Sequence, residues 1–348
     1  MAKAPRPGKG LDVGTANLVC AREDAESSIT VSSIRNAFLD VPADPFTRSM
    51  LSRLKVQCVQ REDKLYIVGE TAFELANVFN RETRRPMQGG MLSPSESNAL
   101  PIERLLIERV LGAPVAAGES CVFSVPADPV DSTLNVAYHR GVISELLSKL
   151  GYTPLSILEG YAVVLAELEE KDFTGIGISC GGGMFNLCVA YKSVPVVCFS
   201  TSRGGDWVDQ NAAAAVGAPA SRLCAIKEKG IDLKAPKNNE EEAIAIYYRQ
   251  LVEYTVNALR LKFESSRDIP TFPEPVDLVL SGGSSLPGGF VDLFRDQFQK
   301  MRFPIPVKGI RLASEPLNTV AQGCLIAALT DLGESAPTTP AAQAGQMR

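Results

Sequence analysis

The sequence has few of the residues on which several classes of functional site depend. It contains one histidine, His139, and its eight cysteines include no C-x-x-C pair. Zinc and iron–sulfur sites need clusters of such ligands, so the sequence argues against a metal centre of this kind. A lone histidine with no Ser or Cys motif around it also gives no catalytic triad. We expect the cysteines to be reduced and to act as small apolar residues of the interior.

Long apolar runs and positive charge are also scarce. No run approaches the ~20 apolar residues that span a bilayer, and no signal-peptide pattern follows the N-terminus. The chain has 35 Lys and Arg against 40 Asp and Glu, which argues against a broad basic face for nucleic acid. The densest basic cluster, Arg81, Arg84 and Arg85, is expected to be a solvated loop. We expect a cytoplasmic protein that binds no nucleic acid, with a membrane-proximal position left open.

What the sequence does have is length and a regular alternation of strand and helix patterns. Its 348 residues suffice for two domains or one bilobed unit. A short buried strand at 121–125, for example, precedes a helix at 132–150 that Asp131 or Ser132 is placed to cap. This alternation predicts an α/β fold.

Two glycine-containing hairpins repeat one pattern nearly half a chain apart. Residues 10–20 read GLDVGTANLVC, and residues 177–189 read GISCGGGMFNLCV. Such a repeat indicates two lobes of like fold, with the two hairpins facing each other across a cleft.

Three glycine loops follow predicted buried strands, and they suggest a phosphate site. They are Gly14-Thr15-Ala16, Gly181-Gly182-Gly183 and Gly282-Gly283. Glycine lets a backbone approach a phosphate closely and direct its N–H groups at the oxygens. The sequence has neither a Walker A run nor a G-x-G-x-x-G fingerprint, so ordinary P-loop and Rossmann folds are disfavoured.

Together these motifs resemble those of the actin, Hsp70 and sugar-kinase superfamily, and within it the bacterial actins of the MreB type. They occur in the order of that family from residue 10 to about 330. The first phosphate loop is similar to GLDVGTAN (10–17), the second to SCGGGMFNLCV (179–189), the connecting helix to LEGYAVVLAEL (158–168), the turn before the second outer subdomain to RGGDWVD (203–209), and the adenosine loop to LSGGSSLPGGF (280–290).

The resemblance implies an actin-like ATPase fold, with two ribonuclease-H-like lobes in four subdomains around a nucleotide cleft. Lobe I would comprise 10–150 and 313–332, with a small outer subdomain at about 32–85. Lobe II would comprise 151–312, with an outer subdomain at about 204–269. Residues 1–9 and 333–348 would be flexible termini.

The resemblance also implies ATP or ADP with Mg²⁺ as the cofactor. Asp12 would hold the Mg²⁺ through water, and Glu159 is a candidate for a second contact to the metal's water. The nucleotide would be contacted by Asp12, by Gly14, Thr15, Ala16 and Asn17 on one side of the phosphates, by Gly181, Gly182 and Gly183 on the other, and by Glu228, Gly282, Gly283 and Ser284 around the adenosine.

Four positions depart from the pattern of relatives that hydrolyse ATP. Ser179 replaces an Asp, Met184 a Thr and Asn186 an acidic residue in the second loop, and Thr133 stands where relatives have a water-positioning Glu or Gln. Phosphoryl transfer to water needs charge neutralisation and an oriented nucleophile. We therefore expect at most a weak ATPase and assign no catalytic residue.

These features favour an MreB- or actin-like cytoskeletal protein that binds nucleotide, assembles with copies of itself into filaments and hydrolyses ATP slowly or not at all. The alternative is a non-polymerising adaptor with a pseudo-ATPase cleft that recruits a division- or pilus-type membrane complex. A sugar kinase is disfavoured, because no Asp suited to a phosphoacceptor site stands out. Membrane-associated morphogenesis or adaptor partners, and direct membrane binding, are left open.

Overall fold

The computed structural model describes residues 8–76, 78–96, 98–266, 269–301 and 303–330, which form fifteen strands and ten α-helices. The strands are β1 (Gly8–Val13), β2 (Asn17–Glu23), β3 (Ile29–Arg35), β4 (Phe38–Pro42), β5 (Cys58–Arg61), β6 (Lys64–Val68), β7 (Met87–Gln88), β8 (Met91–Leu92), β9 (Glu119–Val125), β10 (Tyr152–Leu158), β11 (Gly175–Cys180), β12 (Phe185–Tyr191), β13 (Val194–Thr201), β14 (Val276–Ser281) and β15 (Val307–Leu312). The helices are α1 (Pro45–Arg53), α2 (Glu70–Ala76), α3 (Ala99–Leu111), α4 (Val136–Lys149), α5 (Glu159–Glu167), α6 (Gly205–Val216), α7 (Ala220–Glu228), α8 (Asn239–Ser265), α9 (Phe290–Gln299) and α10 (Thr319–Leu329).

Two five-stranded sheets with the same strand pattern form the body of the molecule. The first has the order β10-β9-β1-β2-β3 and the second the order β13-β12-β11-β14-β15. In each sheet an antiparallel meander of three strands joins, through its first strand, to two parallel strands. The hairpins β1–β2 and β11–β12 occupy the same place in their sheets. The α/β fold predicted from the alternation of strands and helices is therefore confirmed, and its two sheets share one design, as the repeated hairpin indicated.

Helices α5 and α10 lie between the two sheets and join them. Helix α5 contacts β11 and β12, and α10 contacts β1 and α5. Residues 159–165 of α5 are all buried, as expected for a helix that is apolar on every side. A Cβ atom at Gly323 of α10 would lie 1.9 Å from the carbonyl oxygen of Ala162 in α5. Only glycine permits this backbone-to-backbone crossing. We call the part built on the first sheet the first half, and the part built on the second sheet the second half.

A third sheet, in the order β4-β6-β5, forms a small unit with α1 and α2 beside the first sheet. It has its own apolar core, which includes Leu39, Leu51 and Ile67. Helix α1 begins after Asp44, whose carboxylate accepts a hydrogen bond of 2.8 Å from the backbone N of Thr47, as an N-cap does. The unit lies within the stretch for which a small outer subdomain was expected.

Helix α4 begins later than predicted, because Asn135 rather than Asp131 or Ser132 caps it. The side-chain oxygen of Asn135 accepts a hydrogen bond of 3.0 Å from the backbone N of Tyr138. The Asp131 carboxylate instead accepts a hydrogen bond of 2.9 Å from the backbone N of Ser202 in the second half. The hydrogen bond to Ser202 therefore engages Asp131, the residue that the local sequence pattern assigned to the N-cap of α4.

Lys9 was expected to belong to a flexible N-terminal arm, but it is a buried residue of β1. Its ammonium donates hydrogen bonds to the carbonyl of Leu111 at 3.0 Å and to the hydroxyl of Tyr152 at 2.8 Å. Gly8, from the same predicted arm, is also a buried residue of β1. Residues 1–7 and 333–348, the rest of the predicted flexible termini, lie outside the described residues. Within the described residues no helix is both long enough and apolar enough to cross a membrane.

Candidate functional site

Three turns that follow buried strands meet between the two halves. The first turn (14–16) joins β1 to β2, the second (181–184) joins β11 to β12, and the third (282–285) follows β14. The hydroxyl of Ser284 donates a hydrogen bond of 3.0 Å to the carbonyl of Gly181. A Cβ atom at Gly182 would lie 3.7 Å from the Cβ of Ala16. The structure thus brings together all three glycine loops that the sequence singled out.

The contact between the first and second turns requires glycine at position 183. A Cβ atom there would lie 2.2 Å from the backbone N of Gly90 and 2.5 Å from Oγ1 of Thr15. That hydroxyl oxygen also accepts a hydrogen bond of 3.0 Å from the backbone N of Gly90. Because Gly183 has no side chain, the backbone of the second turn contacts the first turn directly. Exposed backbone N–H groups in such turns are the groups that can bind a phosphate.

The third turn depends on glycine in the same way. Gly282 has φ +88°, and a Cβ atom on it would lie 2.5 Å from the carbonyl oxygen of Cys180. Gly283 and Ser284 follow in a single turn of 3₁₀-helix. The third turn is therefore held directly against the end of β11, next to the second turn.

Asp12, half-buried on β1, and Glu159, buried at the start of α5, supply two carboxylates beside these turns. Asp12 accepts a hydrogen bond of 2.8 Å from the hydroxyl of Ser124, and Glu159 accepts one of 3.0 Å from the hydroxyl of Ser179. Burial raises the pKa of Asp12 to about 6, against the effect of the Ser124 hydrogen bond. Burial and then the negative charge of Asp12 raise the pKa of Glu159 to about 8. The two carboxylates are close enough to repel each other.

A divalent cation between Asp12 and Glu159 would relieve this repulsion. Carboxylate and hydroxyl oxygens suit Mg²⁺ rather than a soft metal. The described part of the chain contains no group of three or more His, Cys, Asp or Glu side chains that could hold a metal. A cation here needs additional ligands from water or from a bound phosphate. The donor set therefore fits a nucleotide-bound Mg²⁺ and does not fit an all-protein metal site.

Two of the residues that depart from the hydrolysing pattern, Met184 and Asn186, are packed at the second turn, and Thr133 is not. Met184 is buried, and a Cβ atom at Gly90 would lie 2.8 Å from its sulfur. The side-chain oxygen of Asn186 accepts a hydrogen bond of 3.0 Å from the backbone N of Ala127. Thr133 is exposed in the segment that leads to α4. Each of these positions carries a neutral side chain.

Two ion pairs cross from the first half to the second beside the site. Arg35 lies 2.7 Å from the carboxylate of Glu228, and Arg85 lies 2.9 Å from that of Asp206. Glu228, expected beside the adenosine, is thus engaged by Arg35, and Arg85, expected in a solvated loop, is half-buried. The sequence gives no signal for either pair, since Arg35 and Glu228 are 193 residues apart.

Asn36 supports the first turn from behind, and sequence reasoning did not identify it. Its amide donates hydrogen bonds of 3.0 Å to the carbonyl of Gly14 and of 3.4 Å to the carboxyl of Glu103. Its backbone N donates one of 2.9 Å to the carbonyl of Ala16. Glu103 is fully buried, which raises its pKa to about 8. The sequence indicates this role of Asn36 only through its position as a polar residue directly after β3.

Lys227 links α7 to the start of α6, next to the third turn. Its ammonium donates hydrogen bonds of 3.0 Å to the carbonyl of Gly205 and of 2.8 Å to the carboxylate of Asp209. A Cβ atom at Gly205 would lie 2.4 Å from Oγ of Ser284. On the side of the site expected to hold the adenosine, the start of α6 is therefore packed closely against the third turn and against α7. Asn17, also expected at the site, is half-buried at the start of β2.

Comparison with known proteins assigns the architecture. A family model described as Volactin matches residues 8–328. Among solved structures, a MamK double helical filament is 19% identical, with 95% of this chain and 99% of that chain covered and a TM-score of 0.72. MreB5 of Spiroplasma citri bound to AMPPNP is 15% identical, with coverage of 92% and 95% and a TM-score of 0.65. EutJ from Carboxydothermus hydrogenoformans is 15% identical, with coverage of 92% and 89% and a TM-score of 0.52. No curated protein matches the chain.

Proposed function

Because the chain belongs to the Volactin family and has the actin-like fold, we propose that it is a cytoskeletal protein of the cytoplasm that binds ATP or ADP with Mg²⁺ and assembles into filaments. The observation that carries this proposal is the convergence of three glycine turns on two neighbouring carboxylates, the half-buried Asp12 and the buried Glu159. Two similar chains add support, since MamK is described as a double helical filament and MreB5 as bound to AMPPNP.

In this proposal the two lobes are residues 10–150 with 313–332, and residues 151–312. Residues 14–17 and 181–183 hold the phosphates from opposite sides, and residues 282–284 flank the adenosine. Bound Mg²⁺ supplies charge neutralisation for the phosphates. Asp12 and Glu159 hold the water around it. Glu228 contacts the adenosine from the second half, where one of its carboxylate oxygens also pairs with Arg35.

Hydrolysis is slow in this proposal, because the residues that replace the hydrolysing pattern offer no base to the attacking water. Thr133 has a hydroxyl where a water-positioning carboxylate or amide is needed, and Ser179 has no negative charge to hold metal-bound water. Glu159 keeps its proton near neutral pH unless a cation displaces it. Filaments that depend on nucleotide turnover would therefore be long-lived.

Equilibrium binding and sedimentation of the full chain test the proposal together. We expect ATP and ADP to bind more tightly with Mg²⁺ than without it, the protein to pellet with nucleotide, and phosphate release to stay close to the buffer rate. Asp12→Asn should remove the Mg²⁺-dependent part of the affinity. Arg260→Ala, which breaks an exposed ion pair within α8, is the matched control and should bind normally.

Each other outcome contradicts a definite part of the proposal. No nucleotide binding would overturn the site. Binding without pelleting would overturn the filament and favour a non-polymerising adaptor. Rapid phosphate release would overturn the conclusion drawn from Ser179 and Thr133.

A further inference from the structure

Two cysteines face each other across β12 and β13, in the second half and outside the candidate site. Cys188 and Cys198 are register partners in the antiparallel pair. Their sulfur atoms are 3.1 Å apart, with the Cys198 thiol donating to the Cys188 sulfur. Both thiols are free. All eight cysteines were expected to be reduced apolar residues of the interior, but the two sulfur atoms of this pair are close enough to react with each other.

Ser200 identifies the type of position that the two cysteines occupy. Its backbone N donates to the carbonyl of Asp128 at 3.1 Å, and its carbonyl accepts from the backbone N of Val130 at 3.0 Å. Both polar groups of Ser200 therefore point away from β12. Hydrogen-bonded and non-hydrogen-bonded positions alternate along an antiparallel pair, so Cys198, two residues earlier, is also at a non-hydrogen-bonded position. Cα atoms at such positions are about 4.5 Å apart, a separation that a disulfide can span.

The two thiols differ in access to solvent. Cys188 is fully buried, whereas Cys198 is half-buried. Cys198 also lines an open groove of about 1180 Å³ between the segment 127–131, β13 and α8. Burial raises the pKa of the Cys188 thiol well above its ordinary value, which keeps this thiol protonated. A small oxidant in solution therefore reaches Cys198 first, and Cys188 stands behind it as the second thiol.

We propose that Cys188 and Cys198 form a reversible oxidation site for hydrogen peroxide. Peroxide oxidises the Cys198 thiol to a sulfenic acid, and one water leaves. The Cys188 sulfur then attacks the Cys198 sulfur, an S–S bond forms, the S–O bond breaks, and the thiol proton leaves with the hydroxide as a second water. Two thiols and one peroxide thus give one disulfide and two waters, with two electrons passing from sulfur to peroxide. A dithiol reductant reverses the change.

The position of the pair gives the oxidation a structural consequence. Strand β13 carries Ser200, which bonds to Asp128 and Val130 in the first half. A bond between Cys188 and Cys198 fixes β13 to β12 two residues away from that contact. Oxidation therefore stiffens the second half where it meets the first half, on the side of the groove.

Peptide mass spectrometry of the full chain after hydrogen peroxide and alkylation tests this site directly. We expect one linked peptide pair joining positions 188 and 198, a loss of two hydrogens, six alkylated thiols instead of eight, and full reversal by dithiothreitol. In Cys188→Ser, position 198 should stop at a sulfenic acid that dimedone traps. In Cys198→Ser, position 188 should stay reduced. Cys224→Ser, which removes another half-buried thiol, should leave the link intact.

If a variant fails to fold, peptide mass spectrometry of the wild-type chain still tests the proposal. Peroxide that oxidises other cysteines without linking positions 188 and 198 would overturn the proposal. So would a link that dithiothreitol does not reverse. The assay contains no nucleotide, so its result is independent of the function proposed above.

Discussion

The guanidinium of Arg35 donates a hydrogen bond of 2.7 Å to the carboxylate of Glu228 and so ties the first half to the second beside the three turns. It also lies over the ring of Phe73, 4.6 Å from the ring centroid. Because the partners come from different halves, the pair must break whenever the halves separate. Glu228 is 45% exposed, so solvent screens the pair and its strength is modest.

Removing this pair should speed nucleotide exchange. An exposed ion pair contributes about 0.2–1 kcal/mol, so we expect Arg35→Ala to release a fluorescent ADP analogue up to about five-fold faster than wild type in a stopped-flow measurement. Glu228→Gln should have a similar effect, and the double variant should add little to either one. Arg260→Ala serves as the control. Equal release rates in wild type and Arg35→Ala would show that the pair does not restrain opening.

A methyl group at position 183 should damage the site, whereas one at position 141 should not. Gly183→Ala places a Cβ 2.2 Å from the backbone of Gly90, but nothing lies within 4 Å of a Cβ at Gly141. We expect Gly183→Ala to weaken nucleotide binding at least about ten-fold, since the first and second turns can no longer meet. Gly141→Ala lies within α4 and should stabilise the fold by about 0.5–1 kcal/mol. Calorimetry and thermal unfolding measure both effects, and normal binding by Gly183→Ala would contradict the packing argument.

The buried carboxyl of Glu103 should make stability depend on pH. Burial raises its pKa in the folded chain from 4.5 to about 8. The stability it contributes is therefore present below pH 4.5 and is lost as the pH rises through about 8. We expect Glu103→Gln to flatten this decline and to raise the melting temperature relative to wild type by on the order of 5 °C more at pH 9 than at pH 5.5. Parallel pH profiles for the two proteins would contradict this prediction.

Binding of Mg²⁺ with nucleotide should release protons. Glu159 has a pKa raised to about 8 and Asp12 one raised to about 6, so a cation that binds beside them must displace protons at neutral pH. We expect the Mg²⁺-dependent affinity to rise between pH 6 and pH 8, by at most about ten-fold per pH unit for each proton released. Titration calorimetry in two buffers of different ionisation enthalpy counts the protons. Glu159→Gln should release fewer, and an unchanged count would place the cation elsewhere.

The fold was predictable from the sequence because its signals are local and repeated. Each of the hairpins β1–β2 and β11–β12 lies within about a dozen residues. The similarity of the two hairpin sequences predicted two sheets of one design. The three turns that meet between the halves could be singled out for the same reason, because glycine at the end of a buried strand is a local feature.

The cross-links between the halves were not predictable. Arg35, Arg85, Glu228 and Asp206 are charged residues that a sequence pattern assigns to solvent, and their pairing depends on how two distant segments are placed. The cap of α4 was predicted wrongly for a related reason. Asp131 is a good cap residue, but its hydrogen bond to Ser202 in the second half displaces the local choice. The facing of Cys188 and Cys198 likewise depends on strand register, which the spacing of cysteines along the chain does not specify.

The backbone crossing at Gly323 and Ala162 has a mechanical consequence. With no side chain between the helices at that point, the two backbones are in direct contact, and we expect the halves to rock about this contact rather than slide along it. In such a motion, the displacement of an atom grows with its distance from the crossing of the two helices. Glu159 lies in the same helix as Ala162, so we expect such a motion to displace it little. Arg35 and Glu228 belong to different halves, so the same motion changes the distance between them directly. A tilt that leaves Glu159 almost in place can therefore separate the guanidinium of Arg35 from the carboxylate of Glu228.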